Sequence, residues 1–438
     1  MSWVADLRDK VNDESAVVGI VGLGYVGLPL AVSFSKKFKV IGYNNKPEKV
    51  EILQQGKSYI EDVKDEDLNL NSFHPTSDYQ KLEKCDFIII AVPTPLREDK
   101  SPDLSYIENA GETLGKILHK GQFVILKSTT YPGTTEDFLA PILEETSNLK
   151  VGEDFGLAYS PERVDPGNKK YKIENTANVV GGLTPEFTSI CKMLFEDVTG
   201  NVIEVKDCKT AEAVKMIENI FRNVNIALVN ELSLIFEKMD IDLWESIEAA
   251  KTKPYGFMPF YPGPGVGGHC IPLDPYYLSY RAKHFGIIPR FIETAGEIND
   301  FMPIHTVNLA KKGLKKIDKK LRGSKILVLG MAYKSNISDT RESPAVNIIE
   351  ELKEAGSQVK VYDPHTSCIK TRYGPFHSEK DLKTSLKWAD CAIIVTDHDA
   401  FIENPTMINM VKKDEIIIVD TRNALKLKTD ESDYYIKL

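Results

Sequence analysis

The chain has 438 residues, room for two or three domains of ordinary size. Its formal net charge of −9 excludes a broad nucleic-acid-binding face, which needs excess Lys and Arg, but leaves room for a small basic pocket around a phosphorylated ligand. With 42% hydrophobic and 27% charged residues it has the composition of a globular protein, and no apolar run approaches the roughly 20 residues of a membrane-spanning helix.

The N-terminal MSWVADLRDKVNDESA carries acidic residues and lacks the apolar core of a signal peptide, so a cytoplasmic location is expected. Six cysteines, at 85, 191, 208, 270, 368 and 391, show neither a CxxC pair nor Cys/His spacing suited to zinc. No metal and free thiols follow. All but Cys270 are expected in or near the core as small hydrophobes.

The first 200 residues alternate apolar runs with amphipathic stretches. AVVGIVGL (16–23), KVIGY (39–43), DFIIIAV (86–92) and FVILKST (123–129) are short, apolar and bounded by Gly, Pro or charge, the pattern of strands buried on both faces. The intervening segments are long enough for crossover helices, which predicts an N-terminal, doubly wound parallel α/β sheet of the Rossmann type over 1–208. Directly after the first strand stands G-L-G-Y-V-G, with Gly22, Gly24 and Gly27 at dinucleotide-fingerprint spacing. The first glycine permits the turn, the second admits pyrophosphate and the third lets helix and strand pack. A helix N-terminus then faces the phosphates. NAD is the expected cofactor. The acidic residue that usually meets the ribose is replaced by Asn44, and with Lys46 and Lys49 nearby NADP stays open.

From 209 to about 318 the pattern becomes helical. TAEAVKMIENIFRNVNIALVNELSLIFEKMDI predicts one helix of some thirty residues, a spine whose apolar faces pack against a second subunit. Lys215, Asn219 and Arg222 share one side of it, opposite Ile217, Ile220, Phe221 and Val224. A Gly/Pro-rich loop is read over 253–275. Within it, GPGVGGHCIPLDP sets Cys270 among glycines with His269 and Asp274 alongside, which fits two readings equally, a sulfur presented to a ligand as a thiolate nucleophile and a bystander in a turn. From 319 strand and helix alternate again (SKILVLGMAY, SQVKVYDP, CAIIVTD, EIIIVDTRN), a second, smaller Rossmann-like α/β domain reaching 438. Gly330 has no glycine-rich sequel, so dinucleotide binding of the first kind is not expected there. The ligand is expected between the two α/β domains.

GLGYVGLP (22–29), AVPTP (91–95), KSTTYPGTTE (127–136), YSPERVDPG (159–167), AEAVKMIENIFRNVNIALVNE (211–231), PGPGVGGHCIPLDP (262–275), GMAYKSNISDTRESPA (330–345), VYDP (361–364) and TDHDAF (396–401) together resemble, in order, the signature segments of the UDP-glucose/UDP-N-acetylhexosamine 6-dehydrogenases. The resemblance implies oxidation of a sugar C6 alcohol to a uronic acid with two NAD, for surface polysaccharide precursors, by a homodimer joined through the central helices, with a C-terminal UDP-binding domain. It implies Cys270 as nucleophile and Lys215 and Asn219 as stabilisers of oxyanions. Asp274 and Thr129 are implied to order water, and Glu162 to transfer protons. It implies cofactor contacts at Tyr25, Val26, Thr94, Thr129 and Arg341 besides the glycines, Asn44 and Lys49. Substrate contacts are implied at Arg163, Val164, Lys215, Asn219, Arg222, Gly267, Tyr333 and Lys334. GPGVGGHC, RNVNIALVNE and KPYGFMPFYPG are most similar to the N-acetylhexosamine branch, ranking UDP-N-acetylglucosamine first, UDP-N-acetylgalactosamine second and UDP-N-acetylmannosamine third, with UDP-glucose a further alternative. Two rival readings are a two-electron dehydrogenase of the 3-hydroxyacid type, which needs neither Cys270 nor the 324–438 segment, and a nucleotide-sugar-binding sensor without chemistry.

Overall fold

The computed structural model describes residues 2–60, 62–164, 168, 170–268, 270–428 and 431–438. The chain packs into two compact units, Met1–Glu218 with Tyr276–Ile287 and Asn219–Pro275 with Ile288–Leu438.

The first unit is built on an eight-stranded sheet: β1 Val17–Val21, β2 Lys39–Tyr43, β3 Phe73–Thr76, β4 Phe87–Ile90, β5 Phe123–Leu126, β6 Gly156–Tyr159, β7 Asn178–Gly182 and β8 Val202–Glu204, in the order β3-β2-β1-β4-β5-β6-β7-β8. FIII and FVIL, strands β4 and β5, are buried at every position because apolar clusters cover both faces of the sheet. Strands β1 to β6 are parallel, as the sequence pattern predicts, but β7 pairs antiparallel with β6. Among the described residues, the stretch from β6 to β7 contains the short 3-10 turn Ile173–Asn175 and no crossover helix, the device that returns a chain to a parallel strand.

The second unit holds a smaller parallel sheet: β9 Lys325–Leu329, β10 Gln358–Tyr362, β13 Cys391–Ile394, β14 Ile417–Asp420 and β15 Tyr435–Lys437, in the order β10-β9-β13-β14-β15. An antiparallel hairpin, β11 Cys368–Thr371 with β12 Gly374–His377, is inserted after β10. Cys368 is half-buried on that hairpin, a correction to its expected core position, because a two-stranded ribbon has too few neighbours to cover both faces. Cys85, Cys191, Cys208 and Cys391 are buried. Burial pushes the Cys85 thiol up to about 12 and raises the other three as well, leaving them unreactive.

The helix Cys208–Met239 runs for 32 residues without a break. It inverts the usual amphipathic pattern. Glu212, Lys215, Asn219, Asn223 and Asn230 are buried, whereas Ile217 is 66% exposed, Leu228 50% and Met239 59%. A second correction concerns the loop read over 253–275: a helix begins at Cys270 and continues to His284, with Pro275 inside it. Two prolines and an Asp in IPLDP read as loop punctuation, yet Pro272 in the first turn removes only a donor that has no partner within the helix, and Pro275 alone interrupts the helical hydrogen-bond ladder. No described helix is long and apolar enough to cross a membrane.

Candidate active site

In the first unit the fingerprint glycines divide their tasks as the spacing demands. Gly22 sits at φ +95°, and a Cβ there would stand 2.6 Å from the Ala91 carbonyl oxygen. A Cβ on Gly27 would fall on the Gly22 carbonyl at 1.8 Å. Around Gly24 nothing lies within 4 Å of the corresponding position. Packing therefore requires the first and third glycines, while the second keeps open a surface that fits a dinucleotide pyrophosphate. Helix Gly27–Ser35 begins directly after Tyr25 and Val26, its amide end supplying partial positive charge. Asn44 is buried at the end of β2, where its Oδ1 accepts from the Lys46 amide at 3.0 Å. The Lys49 ammonium lies 4.8 Å from the centre of the Tyr59 ring.

The loops after β4 and β5 are laced together. Thr94 Oγ1 donates to the Thr129 carbonyl at 2.7 Å, the Tyr277 hydroxyl donates to the Thr94 carbonyl, and Ser128 Oγ accepts from the Val92 amide at 3.0 Å. The segment after β6 is pinned by two buried ammonium groups. Lys127 Nζ donates to the Pro161 carbonyl at 3.1 Å, and Lys215 Nζ donates to the Glu162 carbonyl at 2.6 Å. The Glu162 carboxylate accepts from the Val164 amide at 2.7 Å and lies 3.4 Å from Lys127 Nζ. Burial pushes the Lys127 ammonium below its ordinary value, while Glu162 pulls it back up. Arg163 forks onto Glu218 at 2.7 and 3.0 Å and also donates to the Ala177 carbonyl. Residues 165–167 of the YSPERVDPG segment lie outside the described residues.

Sequence reasoning missed Lys127, which sits unremarked in KSTT, and Glu212. Glu212 is fully buried and accepts from the Gly133 amide at 2.5 Å and from the Thr135 amide and hydroxyl at 2.8 and 2.7 Å. It thereby ties the turn that follows Thr129 to the helix that carries Lys215. Desolvation wins over those hydrogen bonds and raises its carboxyl from 4.5 to about 7. An acid whose folded value is raised holds its proton longer when folded, so its contribution to stability is complete below about pH 4.5 and is lost as pH rises to about 7. Glu212→Gln removes that titration. Thermal melts should show the parent losing stability relative to E212Q between pH 5 and 7, by up to about 3 kcal/mol, and then levelling. A difference that does not change with pH would contradict the assignment.

In the second unit one side of the long helix holds the cysteine segment. Asn219 Nδ2 donates to Asp274 Oδ2, and Arg222 donates to Asn219 Oδ1. Asn223 Nδ2 donates to the Ile271 carbonyl at 3.0 Å, and Asn230 Oδ1 accepts from the Gly263 amide at 2.9 Å. Asn219 and Asp274 are buried, and the amide keeps a second N–H beyond the one given to Asp274. Cys270, half-buried, stands at the start of helix Cys270–His284, whose dipole favours an anionic sulfur. His269 lies outside the described residues.

Gly267 and Gly268 press on Tyr333: a Cβ on either would stand 2.6 or 2.7 Å from that side chain. The Gly268 amide donates to the Arg341 carbonyl at 3.2 Å, and the Arg341 guanidinium is held by Asp339 at 2.6 Å. Lys334 follows Tyr333 in the same turn after β9. At that turn the Asp363 carboxylate accepts from the Met331 and Ala332 amides at 2.6 and 3.1 Å, with the buried His398 ring 3.0 Å away. A protein carboxylate thus occupies these amides, consistent with the missing glycine-rich sequel at Gly330. His398 and the backbone amides hold Asp363 down to about 2 despite its burial. Among the described residues no group of His, Cys, Asp and Glu could hold a metal ion.

Three models of the UDP-glucose/GDP-mannose dehydrogenase family match in series: the NAD-binding domain over residues 16–199, the central domain over 209–301 and the UDP-binding domain over 327–427. A UDP-N-acetyl-D-glucosamine 6-dehydrogenase of Pseudomonas aeruginosa is 42% identical over 352 residues, 80% of this chain and 83% of that protein. The chain belongs to this family. It is an NAD-dependent nucleotide-sugar dehydrogenase with a UDP-binding domain. Among solved structures, a UDP-D-ManNAc dehydrogenase from Pyrococcus horikoshii superposes with a TM-score of 0.87 at 33% identity, covering 96% of this chain and 98% of that one. An NDP-N-acetyl-D-galactosaminuronic acid dehydrogenase from Methanosarcina mazei Go1 gives 0.82 at 30% identity, covering 100% and 97%. The relatives therefore differ in the sugar they are named for, while the cofactor domain and the α/β architecture agree.

Proposed function

We propose that this dehydrogenase oxidises the C6 alcohol of a UDP-N-acetylhexosamine, UDP-N-acetylglucosamine before UDP-N-acetylgalactosamine, to the uronic acid through a covalent bond to Cys270, supplying precursors of surface polysaccharide. The observation that carries the reading is the Asn219–Asp274 hydrogen bond. Asn219 stands one turn beyond Lys215 on the Cys208–Met239 helix, and Asp274 one turn beyond Cys270 on its own helix. The family, and the 42% identity to an enzyme named for UDP-N-acetyl-D-glucosamine, support the sugar.

The Gly22–Gly27 turn with Thr94 and Thr129 would hold NAD, which would supply the hydride acceptor, two per sugar. An ordered water takes the hydroxyl proton as C6 is first oxidised, the Lys215 ammonium stabilising the alkoxide that forms. The Cys270 sulfur adds to the resulting aldehyde, retaining it and creating the tetrahedral carbon from which the second hydride leaves. The ammonium of Lys215 and the remaining N–H of Asn219 stabilise the oxyanion. A water ordered by Asp274 and Thr129 then cleaves the thioester, regenerating the thiol, with Glu162 receiving a proton. Alcohol, two NAD and one water give carboxylate, two NADH and three protons. Ile217, Phe221, Leu228, Ile235 and Met239 form an exposed apolar stripe on the long helix, which supports a homodimer through that face.

Purified protein with NAD and each of UDP-N-acetylglucosamine, UDP-N-acetylgalactosamine, UDP-N-acetylmannosamine and UDP-glucose tests the whole reading. Two NADH per sugar are expected, with the highest kcat/KM for UDP-N-acetylglucosamine and a light-scattering mass of twice the chain. One NADH per sugar would mean two-electron chemistry, a preference for UDP-glucose would overturn the sugar, and binding without turnover would leave a sensor.

A further inference from the structure

Helix Cys270–His284 contains a defect in its second turn. Residue i of an α-helix donates its amide to the carbonyl of residue i−4, so the Ile271 carbonyl should receive from residue 275. That residue is Pro275, which has no N–H. The unmet acceptor lies one residue from Cys270. A buried carbonyl left without a donor is costly, and helices with an interior proline relieve it by kinking, fraying or finding a donor elsewhere. Here the donor comes from another helix: Asn223 Nδ2 reaches the Ile271 carbonyl at 3.0 Å.

Asn223 is 4% exposed, and among the described residues its own Oδ1 has no hydrogen-bond partner. Keeping a half-satisfied amide in such a position is unfavourable unless the bond it does make matters. It is also one member of a series. Asn219, Asn223 and Asn230 lie on one side of the Cys208–Met239 helix and engage Asp274, Ile271 and Gly263 in turn, so that the cysteine segment runs antiparallel to the helix. Asn299 closes the arrangement, accepting from Asn230 Nδ2 at 2.9 Å and donating to the Asn223 carbonyl at 3.3 Å. Asn219 belongs to the proposed oxyanion chemistry and Asn230 anchors the start of the loop. Among the described residues, the side-chain hydrogen bond of Asn223 goes to backbone.

We infer that Asn223 is a positioning residue that replaces the hydrogen bond Pro275 cannot make, completing the first turn of the helix and fixing where the Cys270 sulfur stands. Without it the Ile271 carbonyl lacks both its i+4 helical donor and the side-chain replacement, the turn loosens, and Cys270 loses both its direction and the helix start that favours its anionic form. The proline belongs to the device. An ordinary residue at 275 would close the turn from within the helix, whereas the proline makes the geometry of Cys270 depend on the long helix that also carries Asn219. The inference rests on Cys270 being the nucleophile.

The test is a double-mutant cycle on the full-length protein with Asn223→Leu, which keeps the volume but has no donor, and Pro275→Ala, which restores the missing N–H. N223L should lower kcat by roughly tenfold to 100-fold with KM little changed. It should also move the pH profile of Cys270 alkylation by iodoacetamide, read by peptide mass, toward higher pH. P275A alone should stay near the parent, and N223L/P275A should recover most of the lost rate and the parent alkylation profile, since the helix then supplies its own donor. A double variant as impaired as N223L would overturn the inference, because a packing defect is not repaired by an amide at 275. So would an N223L variant with parent kcat and parent alkylation. If N223L does not fold, Asn223→Ser enters the same cycle with the same expectations. The alkylation readout does not require turnover, so an active Cys270→Ser enzyme would reject the nucleophile while leaving the positioning result legible.

Discussion

Cys270→Ser is expected to stop steady-state NADH release with the preferred UDP-sugar, lowering kcat by at least about 1,000-fold, the scale on which loss of a covalent nucleophile is felt. The thiol has two tasks that a hydroxyl performs poorly. In the proposed mechanism it adds to an aldehyde, a step that the helix dipole at the start of Cys270–His284 favours by stabilising negative charge on sulfur, and its acyl adduct is then released to water. A serine in the same place lacks the first property and would form an ester that hydrolyses slowly. Stopped-flow absorbance and intact mass check both points: little or no NADH after mixing, and over hours a small fraction of protein carrying the acyl group. The other five cysteines cannot take over, since four are buried with their thiols pushed up and Cys368 lies on the β11–β12 hairpin. Parent-rate NADH release from C270S would rule out covalent catalysis in this enzyme.

Lys215→Ala is expected to lower kcat about 100- to 1,000-fold, the loss that follows removal of one oxyanion donor. Its ammonium is buried, and one of its three N–H groups is given to the Glu162 carbonyl at 2.6 Å, which fixes its direction while leaving two for charge that develops on substrate oxygen. Lys215→Arg keeps the charge but puts a planar fork where a compact donor stood, so it should recover only part of the rate. Steady-state kinetics separate this from a binding defect, because KM for the UDP-sugar should change far less than kcat. A K215A enzyme within tenfold of the parent would remove Lys215 from the oxyanion role. The two experiments are independent: one deletes the bond-forming atom, the other the charge that stabilises what the bond creates.

Much of this protein is legible from residue order. VVGIV followed by G-L-G-Y-V-G can hardly be anything but a strand, a tight turn and a helix start, because Gly22 and Gly27 meet backbone where any Cβ would collide. The long helix announces itself through uninterrupted helix formers, and the second sheet through four apolar runs, of which the hairpin β11–β12 and the final strand β15 were not among them. Those elements depend on what they pair with, and no local period marks a strand whose stability comes from its neighbour.

The site divides along the same line. The sequence alone singled out the candidates, the glycines at fingerprint spacing, Cys270 in its glycine-rich setting, and Lys215 and Asn219 one turn apart, because each pattern depends on covalent geometry or on spacing within a few residues; the roles proposed for Cys270, Lys215 and Asn219 came from the resemblance. Only the tertiary structure decided that Cys270 begins a helix, that Glu212 and Lys127 stand behind Thr129 and Glu162, and that Asn223 makes up for Pro275. Those facts are hydrogen bonds between segments far apart in the chain, and a buried donor takes whichever acceptor packing brings within 3 Å of it.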